Sequence, residues 1–182
     1  MRTDLKTNAY SLPMPVMLAA AYSEDDTPSV MVVTWGGICT KYLDKIALNI
    51  DSFHKTARAI SERMAFTVSV PDASHWKTVD YIGSVSGDDV PDKFTRSGLH
   101  AVRSRYVDAP VITDFPVSLE CRVIDIAIHD MMRVTGQVIN VSAEYSLLND
   151  TDGIDALLYD NLRNSYISSG RVLGYAEKFR VR

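Results

Sequence analysis

The chain carries only two cysteines, Cys39 and Cys121, in 182 residues. They form neither a CxxC pair nor a Cys/His zinc spacing, which excludes a disulfide-stapled scaffold and a structural metal and fits a reducing, cytoplasmic setting. Basic clusters are also missing: no two Lys or Arg residues are adjacent, and the formal net charge is -4. Nucleic acid and anionic membranes are recognised through such clusters, so neither is an expected partner. No apolar run approaches the about 20 residues needed to span a bilayer. Pro13 to Tyr22 has Arg2 and Lys6 upstream, as in a signal peptide, but Asp4, Pro13 and Pro15 interrupt that pattern and a first core strand is the better reading. GxGxxG, GxxxxGK(S/T), HExxH and GxSxG are all absent, which removes the signatures of a Rossmann domain, a Walker-type NTPase, a zincin and an α/β-hydrolase.

What is present is 46% hydrophobic residues in a chain long enough for one sizeable core, so a single domain over 1–182 is expected. The apolar residues come in short runs of strand character rather than helical stripes. Val16 to Tyr22 and Ser29 to Thr34 flank a polar, proline-bearing loop and read as a hairpin; Lys45 to Ile50 and Ala65 to Val70 follow. In Pro116 to Val123, Val117, Leu119, Cys121 and Val123 alternate with Ser118, Glu120 and Arg122, the pattern of a half-buried strand. The phase slips at Ile124, which predicts a bulge near Val123-Ile124. Arg133 to Ser142 then pairs back through a turn at His129 and Asp130. Three helical pieces are expected. Residues 55–64 bring Ala57, Ile60 and Met64 to one face, 73–82 bring Trp76, Val79 and Ile82 together behind an Asp72 cap, and a short piece at 92–96 stops at Gly98. The fold class is mainly β, a barrel or sandwich with a few short helices. The tail from Asp152 has no assignable pattern.

Three polar segments adjoin strand and helix ends. Asn49 to Thr56 leaves a strand and opens a helix, where free N–H groups and the helix dipole favour an anion; Ser52, Lys55 and Thr56 add two hydroxyls and a charge, an inventory suited to a phosphate monoester. Taken alone, it equally fits a Ser52-capped helix with a solvated lysine. Thr34-Trp35-Gly36-Gly37-Ile38-Cys39-Thr40 offers glycines that let a flat ligand approach the backbone, and on its own is also an ordinary turn. Tyr81 to Asp89 places Ser84 and Ser86 between glycines, with Lys93 following; by itself it is also a solvated loop.

Together and in this order, the stretches PMPVMLAAAY, VMVVTWGGICT, SFHKTARAI, AFTVSVP, DYIGSVSGDDVPDKF, DAPVITDFPVSLECRV and VTGQVINVSA resemble the flavin reductase-like family, whose fold is the FMN-binding split barrel and which includes flavoredoxin and NAD(P)H:FMN oxidoreductases. The resemblance runs from about Leu12 to Val141, with an echo in YDNLRNSYISSGRVLG. It implies a six-stranded Greek-key barrel and a homodimer with FMN at the subunit interface. It also implies that Thr34, Trp35, Gly36, Cys39 and Thr40 lie against the isoalloxazine, that Ser52, His54, Lys55 and Thr56 hold phosphate and ribityl, and that Ser84, Val85, Ser86, Gly87 and Lys93 close over the flavin. The chain departs from the family at Asp130-Met131-Met132, where many members carry a histidine; His129 is offset by about two positions and receives no proton-transfer role.

The resemblance implies chemistry that belongs to the flavin, with no catalytic side chain. An NAD(P)H-dependent flavin reductase would pass a hydride from nicotinamide to flavin N5. A flavoredoxin-like protein would instead carry electrons between partner proteins without oxidising nicotinamide, and a barrel using the groove for another cofactor, or for none, is a third reading.

Overall fold

The computed structural model describes residues 13–148 and 153–173. Its frame is one antiparallel sheet of seven strands in the order β3-β2-β6-β9-β10-β5-β4. These are β2 (Met17–Tyr22), β3 (Pro28–Val33), β4 (Gly36–Ile38), β5 (Lys45–Ile50), β6 (Ala65–Val70), β9 (Val117–Ile128) and β10 (Met132–Ala143). A small sheet, β1 (Pro13–Pro15), β11 (Leu157–Asp160) and β12 (Ser165–Ser168), and a hairpin of β7 (Ala101–Arg103) with β8 (Pro110–Ile112) are added outside it. The helices are α1 (Lys55–Arg63), α2 (Trp76–Ser84) and α3 (Lys93–Arg96). The sheet curls into a half-barrel, the split-barrel form the resemblance implies; the strand beyond its six is the three-residue β4, hidden in sequence inside the Gly-Gly turn.

β2 explains why its sequence is continuously apolar. Met17, Ala19 and Ala21 point into the curl with Leu48, Ile60, Phe66 and Val134, while Val16, Leu18 and Ala20 pack on the outer side with Val79, Ile82, Ile112 and Phe115. A strand buried on both faces has no polar alternation to show. Its three alanines leave room for α1 on the inner side and for β8 on the outer side, while α2 packs on the neighbouring β3.

Three expectations are corrected. Ser118 and Glu120 are buried rather than solvent-facing, because the β7–β8 hairpin and its loop cover that side. The Ser118 hydroxyl lies 2.9 Å from that of Ser69, and the Glu120 carboxylate accepts hydrogen bonds from Asn140 (2.6 Å) and Ser104. Met64 is exposed at the left-handed cap of α1, so the buried face of that helix is Thr56, Ala57, Ala59 and Ile60. Trp76 is 45% exposed and does not share the buried face of Val79 and Ile82. The bulge falls as expected: Gly136 pairs with Val123 and Thr135 with Asp125, leaving Ile124 over.

Candidate functional site

The connection after β3, the amino end of α1 and the carboxyl end of α2 meet over the edge strand β3. Thr34, His54 and Ser84, one residue from each predicted segment, line a single groove of about 460 Å³, floored by Met31 and Val32 of β3. A smaller recess of about 120 Å³ shares Met31, Val32, Thr34 and His54 and continues to Trp35, Asn49, Asp51 and Met131. Trp35 is 53% exposed there, with its carbonyl held by the Asn49 amide at 2.8 Å.

On the other side of the first turn of α1, Lys55, Gly87 and Lys93 line a narrow cleft with Ser29 and Pro91. The Lys55 stem lies against Gly87, whose missing Cβ would sit 3.4 Å from it. Lys93 is buried, and its ammonium donates to the Val85 carbonyl at 2.7 Å. Burial lowers this lysine from its ordinary 10.5 to about 8. The loop is tied to α1 a second time by the Arg58 guanidinium, which donates to the Phe53 carbonyl and to the Asp88 carboxylate (2.5 Å). Ser86 accepts a hydrogen bond from the Asp88 amide at 3.2 Å and so shapes the loop.

The helix cap is His54, in extended conformation and without a side-chain cap bond; Ser52 lies exposed two residues earlier. The first-turn amides of α1 therefore have no side-chain cap, and that turn has no acidic residue. Such a helix end carries positive potential, reinforced by Lys55. Thr56 differs from expectation. It is 3% exposed, with its hydroxyl 2.9 Å from that of Ser29, so its side chain fastens α1 to β3 and only its backbone remains to contact a ligand.

Gly36, Cys39 and Thr40 belong to the far edge. A Cβ on Gly36 would stand 2.8 Å from the Ala47 carbonyl, so strand approach accounts for this glycine. Cys39 is exposed, Thr40 donates to the Asp44 carboxylate at 2.6 Å, and neither lines the groove or the recess. Met131 lines the recess where the family's histidine position was noted, whereas the exposed His129 amide closes the turn onto the Met131 carbonyl. Residues that sequence reasoning missed are Asp80, Tyr159, Asn164 and Tyr166, all in the groove lining. Asp80 had a signal, standing four residues before Ser84 on α2; the others came from the unassigned tail.

The cleft on one side of the first turn of α1 is cationic and donor-rich, and the recess on the other side is open and lined by Met31, Val32, Val33, Trp35, Ile50 and Met131. With the curled antiparallel sheet beneath it, that defines a split-barrel protein with a ligand groove over its edge strand. The chain belongs to the flavin reductase-like family: the family model described as Flavin reductase like domain matches residues 9–167. Among solved structures, flavoredoxin of Desulfovibrio vulgaris (Miyazaki F) is 30% identical with a TM-score of 0.89, over 98% of this chain and 98% of that one. Flavoredoxin from Methanosarcina acetivorans is 26% identical with a TM-score of 0.84, over 97% of each chain. The FMN-binding domain of a flavin reductases-like enzyme from Shewanella baltica OS155, at 18% identity, TM-score 0.75 and 89% coverage of each chain, shares the fold. No curated protein matches the chain.

Proposed function

We infer that the chain, as one domain over 1–182, is an FMN-binding flavoprotein and an NAD(P)H-dependent flavin oxidoreductase acting in the cytoplasm as a homodimer. The observation that carries the flavin reading is the convergence of Thr34, His54 and Ser84 on one groove, next to the Lys55 and Lys93 cleft at the uncapped end of α1. The donor set fits FMN: a phosphate monoester suits the helix amides and Lys55, and a planar tricycle suits Met31, Val32, Thr34 and Trp35. Bound there, FMN supplies a two-electron store between a hydride donor and an acceptor.

The chain's own residues bind and orient. Lys55 and the first-turn amides of α1 hold the anionic end, Arg58 and Lys93 keep the 85–92 loop in place beside it, and Trp35 with Met131 shields the far end from water. None of the groove side chains has to move a proton. The homodimer reading is supported by exposed Trp35, which lines the recess, and by exposed Phe53 packed beside His54 of its lining, apolar surface of the kind found at interfaces.

The two flavoredoxin structures favour a second reading, an FMN electron carrier serving a partner protein with little nicotinamide oxidation. Anaerobic stopped-flow mixing of the FMN-loaded protein with NADH and with NADPH separates the two. Rapid bleaching of the visible flavin band by either donor is expected of the reductase. No bleaching with either would remove the reductase and leave the carrier.

A further inference from the structure

The outer face of α2 carries Trp76, Asp80 and Ser84 at intervals of four, so these side chains stand in one row, while Val79 and Ile82 are buried on the opposite side. The Asp80 to Ser84 half of the row belongs to the flavin groove. The Trp76 to Asp80 half lines a second, open cleft of about 540 Å³ beneath the β11–β12 hairpin, with Ala73, Leu157, Tyr166 and Ile167. Asp80, Asn164 and Tyr166 line both spaces and form the threshold between them.

One wall of this cleft is aromatic and apolar, with Ala73, Trp76, Leu157, Tyr166 and Ile167; Asn164, Ser165 and Ser168 of the hairpin add neutral polar groups. Tyr166 stands 6.5 Å from Trp76 at a 39° tilt and packs edge-on against its cross-strand partner Tyr159 at 5.5 Å. The charged group at the threshold is the Asp80 carboxylate, beside the Tyr166 hydroxyl and the neutral Asn164 amide; burial, and then the Asp80 carboxylate, push that phenol up to about 12. Charge restricts the ligand from both directions. An anion would meet Asp80, and a cation laid on Trp76 would share that ring with the Lys77 ammonium, which stands outside the cleft lining but 5.6 Å over the ring. A neutral ring avoids both costs. A carboxylate offers only acceptor oxygens, so the ring gains from carrying a donor.

We propose that the Trp76–Asp80–Tyr166 cleft binds a neutral planar aromatic molecule bearing an O–H or N–H donor, a phenol being the simplest case. The ring lies against Trp76 and Tyr166, and its donor points to Asp80. Binding in this cleft is independent of the flavin reading; only its position beside a flavin rests on that reading.

The test is calorimetric titration of the purified protein, with and without saturating FMN, using phenol, anisole, benzoate and cyclohexanol as probes. Phenol is expected to bind more tightly than the other three, which lack in turn the donor, the neutrality and the π face. Trp76→Ala should weaken phenol about tenfold and Trp76→Phe by no more than about threefold, since the aromatic wall is what is lost. Equal binding of all four probes, indifference of phenol to Trp76→Ala, or competition of phenol with FMN for one site would each overturn the proposal. So would an apparent phenol affinity that falls as protein concentration rises, the sign that a second copy fills the cleft. A protein that takes up no FMN yet binds phenol through Trp76 would remove the flavin reading and keep this one.

Discussion

The Lys93 ammonium donates a 2.7 Å hydrogen bond to the Val85 carbonyl from a side chain that is only 7% exposed. It fastens the loop after α2 to α3, and with Arg58 it holds two predicted segments on one side of α1. Both ties are invisible to motif reading, because they run between residues 8 and 30 positions apart.

Burying that ammonium has a pH signature. Lys93 is lowered to about 8 in the fold against an ordinary 10.5, so between those values the unfolded chain binds more protons and stability rises with pH. The rise attributable to Lys93 is on the order of 3 kcal/mol and is complete above about pH 10.5. Urea midpoints of the wild type and of Lys93→Met, compared between pH 7.5 and 10, should diverge, with the variant showing the flatter profile. Parallel profiles would contradict the burial argument.

Thr56→Ala is expected to act on stability. The change leaves the Ser29 hydroxyl in a buried place without its 2.9 Å partner, at a cost of about 1–3 kcal/mol. Denaturant unfolding reads this directly, and a variant of wild-type stability would mean that Thr56 faces the ligand after all.

Gly136→Ala should destabilise the barrel by about 1–3 kcal/mol through overpacking. The added Cβ would stand 2.5 Å from Phe66 Cζ and 3.1 Å from Cys121 Cβ, and Phe66 is fully buried with no room to yield. The thermal midpoint is the measurement; an unchanged value would show that β10 can shift away from β6.

Arg58→Ala should leave global stability within about 1 kcal/mol, since the Arg58–Asp88 pair is nearly half exposed on each side. Its effect should be local, as faster proteolysis of the 85–92 loop at an unchanged unfolding midpoint. A loop that resists protease equally well would show that Lys93 alone holds it.

The strands were legible wherever one rule of burial held along them. Lys45–Ile50 and Ala65–Val70 match their predicted limits, and the slip at Ile124 gave the bulge. β9 misled because its polar face is covered: Ser118 and Glu120 look solvated in sequence and are satisfied by Ser69, Ser104 and Asn140, which lie distant in the chain. Short pieces such as β4 and β12 owe their existence to pairing rather than propensity, so Gly36–Ile38 read as a turn and Tyr166 stayed unassigned. In the candidate site the order of the three segments was readable, whereas the side-chain directions were not. Thr56 and Ser52 look alike as donors beside Lys55, and only the packing of α1 on β3 buries one and exposes the other.

The most direct test of an FMN groove with its phosphate end at Lys55 is the pair of dissociation constants for FMN and riboflavin, read from quenching of flavin fluorescence in the wild type and in Lys55→Ala. A charge-assisted phosphate contact predicts one flavin per chain, FMN tighter than riboflavin by at least about tenfold, and loss of most of that preference in the variant. Equal affinities in the wild type, or no flavin binding at all, would contradict it.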